Sequence, residues 1–168
     1  MAMRVVRALE YVKSLPEWNH KDLVAEGGSQ GGLQTSWAAG LDHDVSLARP
    51  SITWGCDFSA TEPGGRLHGG WYIKYAPGLE YFDSISHIRR AKCPVEITRA
   101  GLGDYTCPPS GLAAYYNAIT TPKSILWVQG SQHGLVPPDP NQKFTLSEGG
   151  HRQTDAESKS QSASSDVK

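Results

Sequence analysis

The chain has 168 residues, about the size of one domain, and 16 Lys and Arg against 17 Asp and Glu leave a formal charge of −1. Nucleic-acid binders and proteins that dock on anionic membranes usually carry a basic excess, so this balance argues against both. No stretch approaches the roughly 18 consecutive apolar residues of a membrane helix. Three scattered cysteines (Cys56, Cys93 and Cys107) form neither a disulfide framework nor a CxxC metal site. We therefore expect a soluble single domain without a structural metal or a cofactor.

The first elements along the chain are a helix, a strand and a second helix. Apolar residues at helical spacing predict an amphipathic helix over residues 3–15, which Pro16 ends because proline cannot continue the hydrogen-bond ladder. A short apolar run over 23–25 predicts a strand. It leads into a glycine-rich turn at 27–32 and then into a helix over 33–41.

The rest of the chain continues this alternation. Strands are predicted over 45–48, 93–100 and 124–128, and helices over 81–90 and from Pro108 onward. Residues 54–78 are rich in glycine and aromatics, have no clear period and are interpreted as a long loop. Strands that alternate with helices predict an α/β fold with a short, mostly parallel sheet flanked by helices, in which four strands are visible.

The composition changes at Glu148. Residues 148–168 hold no aromatic residue and almost nothing apolar, so they bury too little surface to offset the entropy of ordering the chain. We expect a domain over 1–147 and a disordered polar tail over 148–168.

The glycine-rich turn carries the pattern Gly27-x-Ser29-x-Gly31 between a strand and a helix, which is typical of a nucleophile elbow. Such a turn exposes the serine hydroxyl above the sheet, and small neighbours let strand, helix and substrate approach. The backbone N–H of Gln30 would then face a developing oxyanion. The competing interpretation is a glycine-rich turn that binds phosphate. The chain has no Gly-Lys-Ser/Thr and no intact GxGxxG to favour it.

A serine hydroxyl is a weak nucleophile until a base accepts its proton. In α/β-hydrolases the acid and the histidine follow the serine in that order, after later strands. Asp104 and His133 fit this order, because each lies in a turn just past a predicted strand and therefore at the same sheet edge as Ser29. The competing interpretations are a turn-capping aspartate and an ordinary loop histidine, with His68 as the best substitute base.

At these residues the sequence resembles the acetyl xylan esterase and cephalosporin-C deacetylase family of α/β-hydrolases. The resemblance runs from about Val5 to about Pro138. It rests on three motifs: GGSQGG at 27–32, GLGDYTCPPS at 101–110, and QGSQHG at 129–134. It implies that Ser29 is the nucleophile, His133 the general base and then acid, and Asp104 the residue that orients His133. The implied reaction removes acetyl groups from sugar hydroxyls or similar small acetate esters through an acetyl-enzyme.

The resemblance also implies that the N-terminal half of the family's domain, which supplies the second oxyanion donor, has no counterpart here. An uncovered edge strand would then favour a homo-oligomer. Two other functions stay open: a truncated, non-catalytic remnant, and a serine peptidase of the prolyl-oligopeptidase type.

Further expectations concern the residues around the candidate site and the cellular compartment of the protein. Trp54 and Trp71 in the long loop are candidates for stacking against a sugar, the alternative being aromatic packing over the sheet. Cys107, three residues after Asp104, is expected to be a small buried residue rather than a reactive thiol. The sequence leaves the native compartment unassigned.

Overall fold

The computed structural model describes residues 1–58, 73–147 and 152–154, and a single sheet organises this part of the chain. Its strands lie side by side in chain order, β1 to β4 in parallel and β5 and β6 antiparallel to their neighbours. Their bounds are β1 Val24–Gly28, β2 Leu47–Ser51, β3 Val95–Gly101, β4 Lys123–Val128, β5 Lys143–Ser147 and β6 Arg152–Thr154. The predicted α/β fold with a mostly parallel sheet is confirmed.

In the described ranges four α-helices pack around this sheet, and α2 is central among them. It contacts β1, β2, α1 and α3, while α4 contacts β3 and β4. The helices are α1 Ala2–Ser14, α2 Gln30–Leu41, α3 Ser84–Ile88 and α4 Pro109–Ala118, with 3₁₀ turns at Leu79–Phe82 and Pro140–Gln142. Within the described ranges, none of the helices is long and apolar enough to cross a membrane.

The core lies between the parallel strands and the helices. Val95, Ile97 and Ile125 of the central strands and Leu112 of α4 are almost completely buried. Full burial of such a side chain contributes roughly 1.5–3 kcal/mol, so positions of this kind make a large contribution to the stability of the fold. Near its C-terminal end, α2 approaches α3 so closely that a Cβ on Gly40 would clash with the His87 carbonyl oxygen.

The predicted elements differ from the observed ones mainly at their ends. Helix α2 begins at Gln30 rather than at residue 33, because the turn after β1 consists of Ser29 alone. The second strand lies two to three residues later than the expected 45–48.

The helix predicted over 81–90 was wrong as a single element. Asp83 divides it into a 3₁₀ turn and the short helix α3. The Asp83 carboxylate accepts a 2.7 Å hydrogen bond from the Ile85 N–H, which caps α3.

Strands β5 and β6 were not predicted. In β5, Phe144 and Leu146 alternate with polar residues, and both pack against the core through the antiparallel pairing with β4. This strand has only two apolar residues. That pattern is too weak to predict a strand from the sequence without knowing that it pairs with β4. Three residues of the expected tail form β6, and the rest of 148–168 lies outside the described residues.

Candidate active site

Ser29 is the single residue between β1 and α2, and its backbone is strained. Its φ is 56° and its ψ is −115°. Residues other than glycine rarely adopt this backbone conformation, which costs on the order of 1–3 kcal/mol. Hydrogen bonds hold it there. The Ser29 N–H donates to the Ser51 carbonyl at 2.9 Å, and the Ser29 carbonyl accepts from the Leu33 and Trp54 N–H groups, each at 3.1 Å.

The glycines around Ser29 have different roles in this turn. A Cβ on Gly27 would lie 2.6 Å from the Gly31 carbonyl oxygen, and one on Gly32 would lie 2.8 Å from the Thr53 hydroxyl. Gly31 itself has open space where a Cβ would stand. Gly27 and Gly32 are therefore required for the close approach of this turn to Gly31 and to Thr53, whereas a side chain at position 31 would fit without a clash.

Asp104 lies in the turn after β3 and is buried, with 2% of its surface exposed. Its Oδ1 accepts hydrogen bonds from the Thr106 and Cys107 N–H groups at 2.8 and 2.9 Å. Its Oδ2 lies 2.9 Å from His133 Nδ1. A buried carboxylate needs such partners, and these three fix both its position and the orientation of the imidazole ring.

His133 lies in the turn after β4, and two further contacts hold that turn. The Arg99 guanidinium donates to the His133 carbonyl oxygen at 3.2 Å. The Gly103 N–H donates to the Ser131 carbonyl at 2.9 Å, which joins the aspartate turn to the histidine turn. The imidazole is half-buried, and with Nδ1 directed at Asp104 its Nε2 is the nitrogen left for other partners.

A cavity of about 430 Å³ connects these elements. Ser29, Gln30, Trp54 and His133 all line it, so the structure brings four of the sequence-predicted residues to one space, with Asp104 buried behind His133. The Trp54 ring meets Phe58 edge-on, with centroids 5.5 Å apart. Trp71 and the substitute base His68 lie outside the described residues. A larger groove of about 660 Å³ lies between α1 and β1, but neither Ser29 nor His133 lines it.

Sequence reasoning did not anticipate how close Cys107 lies to the reactive groups. Burial, followed by the negative charge of Asp104, raises the pKa of the Cys107 thiol to about 12, and a hydrogen bond with Ser29 opposes part of this. At neutral pH the side chain is therefore a protonated, buried thiol, in line with the expectation of a small buried residue. The spacing of three residues from Asp104 was the available signal.

Solved structures with a similar backbone fold include esterases and peptidases. Solved structures that the chain resembles include the acetyl xylan esterase from Paenibacillus sp. R4, with 30% identity and a TM-score of 0.72 over 81% of this chain and 48% of that one. They also include acetyl xylan esterase 1 from Thermoanaerobacterium sp. JW/SL YS485, with 22% identity and a TM-score of 0.67 over 82% and 48%. A puromycin-hydrolyzing peptidase of Mycobacterium tuberculosis matches with 24% identity and a TM-score of 0.60 over 78% and 21%. The fold is that of an α/β-hydrolase.

Sequence comparison finds similarity to one family within this class. Residues 74–146 match the model of the acetyl xylan esterase family. The chain is also 34% identical over 136 residues to the acetyl esterase Axe7A of Xylanibacter ruminicola. This alignment covers 76% of this chain and 31% of that protein. The resemblance to the acetyl xylan esterase family is thereby confirmed. The chain spans about half the length of the two solved esterases and about a third of the curated relative.

The strain at Ser29 gives a testable prediction about stability. Ser29→Gly and Ser29→Ala remove the same hydroxyl, but only glycine adopts a positive φ without a steric penalty. Relief of the strain outweighs the extra freedom that glycine gives the unfolded chain, so we expect Ser29→Gly to be about 1 kcal/mol more stable than Ser29→Ala. Urea denaturation of the two variants measures this difference. Equal stabilities, or a more stable alanine variant, would contradict a strained turn.

Proposed function

We propose that this chain carries a serine esterase active site in which Ser29 is the nucleophile, His133 the general base and acid, and Asp104 the residue that orients His133. One observation carries the proposal: a serine on a strained strand-to-helix turn and a histidine bonded to a buried carboxylate line the same cavity. Activation of a serine requires this pairing of a nucleophile with an oriented base.

The proposed reaction has two halves. In the first, Ser29 Oγ attacks the carbonyl carbon of an acetyl ester while its proton passes to His133 Nε2. The Asp104 carboxylate stabilises the imidazolium through Nδ1–H. The tetrahedral intermediate collapses, the alcohol leaves with the proton from His133, and an acetyl-enzyme remains. In the second half, His133 takes a proton from water as the water oxygen attacks the acetyl-enzyme, and it returns that proton to Ser29 Oγ as the acyl bond breaks. Acetic acid leaves and ionises to acetate, and the free serine is restored.

Gln30 is the proposed oxyanion donor. It is the first residue of α2, so its N–H has no acceptor within the helix and stands at the positive end of the helix dipole. It also lines the cavity beside Ser29. A donor in this place stabilises the negative charge that develops on the carbonyl oxygen, an effect that typically amounts to 10²–10³ in turnover.

The proposed substrates are acetylated carbohydrates or similar small acetate esters. Support comes from the family match and from the names of the relatives, which are acetyl and acetyl xylan esterases. The cavity is at the small end of the range for ligand sites, which suits a small acyl group such as acetyl. Trp54 in the cavity lining would provide an apolar face for a sugar ring.

Turnover of a small acetate ester tests the assignment of the three residues. We expect kcat/KM to fall by about 10⁴ in Asp104→Asn, because the amide would favour the wrong tautomer of His133, and by at least as much in Ser29→Ala and His133→Gln. His43→Gln, at an exposed histidine, is the matched control and should leave the rate unchanged.

Two results of that experiment would contradict the proposal. One is a folded wild-type chain, shown by circular dichroism, that does not hydrolyse acetate esters, which would favour a non-catalytic remnant. The other is a preference for peptide anilides over acetate esters, which would favour a peptidase of the prolyl-oligopeptidase type.

Trp54 gives a separate prediction about the substrate. If its ring contacts a sugar, Trp54→Ala should raise KM for an acetylated xylo-oligosaccharide about fivefold, which corresponds to about 1 kcal/mol of aromatic contact. KM for ethyl acetate should stay the same, because that ester has no ring to stack. Trp18→Ala, at a tryptophan that does not line the cavity, is the control. Equal losses for both esters, or a loss of stability alone, would assign Trp54 to packing.

A further inference from the structure

Three different metal-binding groups meet behind the histidine. Asp104 offers a carboxylate oxygen, Cys107 a thiol sulfur and His133 an imidazole nitrogen, and in the described part of the chain these atoms all lie within 4.8 Å of one another. We propose that Asp104, Cys107 and His133 form a binding site for a thiophilic divalent cation such as Zn²⁺, and that its occupancy switches off the proposed esterase. The binding claim is independent of esterase activity, whereas the inhibition claim rests on the proposed function.

The ligand set is suited to zinc. Zn²⁺ binds oxygen and nitrogen at about 2.0–2.2 Å and sulfur at about 2.3 Å, so the ligand atoms of a tetrahedral site lie roughly 3.5 Å apart. The present separations are at most 4.8 Å, so the widest pair would close by about 1.3 Å at most to reach that spacing. Three protein ligands leave a fourth position for water, as in sites that exchange their ligands. Magnesium and calcium prefer oxygen ligands, so the sulfur and nitrogen favour zinc over both.

The charges and protons balance in this site. Asp104 contributes one negative charge, and Cys107 contributes a second when it releases its proton to water on binding the metal. Together they neutralise the cation. His133 would bind through Nδ1 and carry its proton on Nε2, so the metal replaces the present hydrogen bond to Asp104 Oδ2. Asp104 Oδ1 keeps its bonds from the Thr106 and Cys107 N–H groups, which hold the carboxylate in place.

The position of the proposed metal site provides a route for the cation from solvent and a reason why the bound cation would inhibit the esterase. Asp104 and Cys107 are buried, while the half-buried His133 lines the cavity, so a cation from solvent enters past the imidazole. Once Nδ1 is bound to the metal and Nε2 carries the proton, His133 has no free nitrogen to accept the proton of Ser29. Metal binding and base catalysis therefore exclude each other.

Cobalt reports the site directly, because a thiolate bound to Co²⁺ gives a charge-transfer absorption that free Co²⁺ lacks. The folded chain is titrated with Co²⁺ and the ion is then displaced with Zn²⁺. We expect a thiolate band that Zn²⁺ removes, and a loss of zinc affinity of about 100-fold or more in both Cys107→Ala and His133→Gln. Cys93→Ala, at a buried cysteine outside the cluster, should keep the band.

The outcomes separate the two claims. A missing thiolate band, a band that persists in Cys107→Ala, or a band lost equally in Cys93→Ala would overturn the metal site, whatever the esterase activity. Cys107→Ser keeps a small polar group, so its loss of the band with an unchanged circular dichroism spectrum would show that the effect is not unfolding. If the esterase is active, Zn²⁺ should inhibit the wild type but not a folded Cys107→Ala. Equal inhibition of both would overturn the switch.

Discussion

The site depends most on the hydrogen bonds that the buried carboxylate of Asp104 makes with two backbone N–H groups and with His133. Removal of a charge from water is costly, and the chain offsets that cost with two backbone N–H groups on one oxygen and an imidazole nitrogen on the other. The backbone donors, Thr106 and Cys107, lead directly into Pro108 and α4, so the same bonds that solvate the carboxylate also fix the start of that helix. The imidazole bond fixes the turn after β4. One satisfied charge thus positions two elements and the proposed base.

The parallel order of β1 to β4 brings that charge to the serine. Parallel strands end at the same edge of a sheet, so the turns after β1, β3 and β4 meet there although Ser29, Asp104 and His133 are far apart in sequence. The strain at Ser29 persists because the surrounding backbone holds it: the Ser51 carbonyl and the Trp54 N–H bind its two sides. The fold therefore supports an unfavourable conformation at the place where a hydroxyl must project from the sheet.

The sequence allowed the parts of this arrangement with strong local rules to be predicted. A Gly-x-Ser-x-Gly pattern between a strand and a helix has few physical solutions, and the order of strand-ending turns predicted which acid and histidine would be neighbours. Where local rules compete, the prediction was less accurate. Asp83 caps α3 and so interrupts a helical pattern, and β5 has two apolar residues that become a strand only when β4 offers a partner. The proximity of Cys107 to both Ser29 and His133 depends on the packing of three separate turns, which no local pattern encodes.

The proposed mechanism requires that His133 and Asp104 activate Ser29, and covalent labelling of the serine detects that activation. The folded chain is exposed to a fluorophosphonate, which reacts with activated serines, and its intact mass is measured. We expect a single adduct that is absent in Ser29→Ala, formed far more slowly in His133→Gln and unchanged in His43→Gln. A folded chain that forms no adduct, or an adduct that persists in Ser29→Ala, would contradict it.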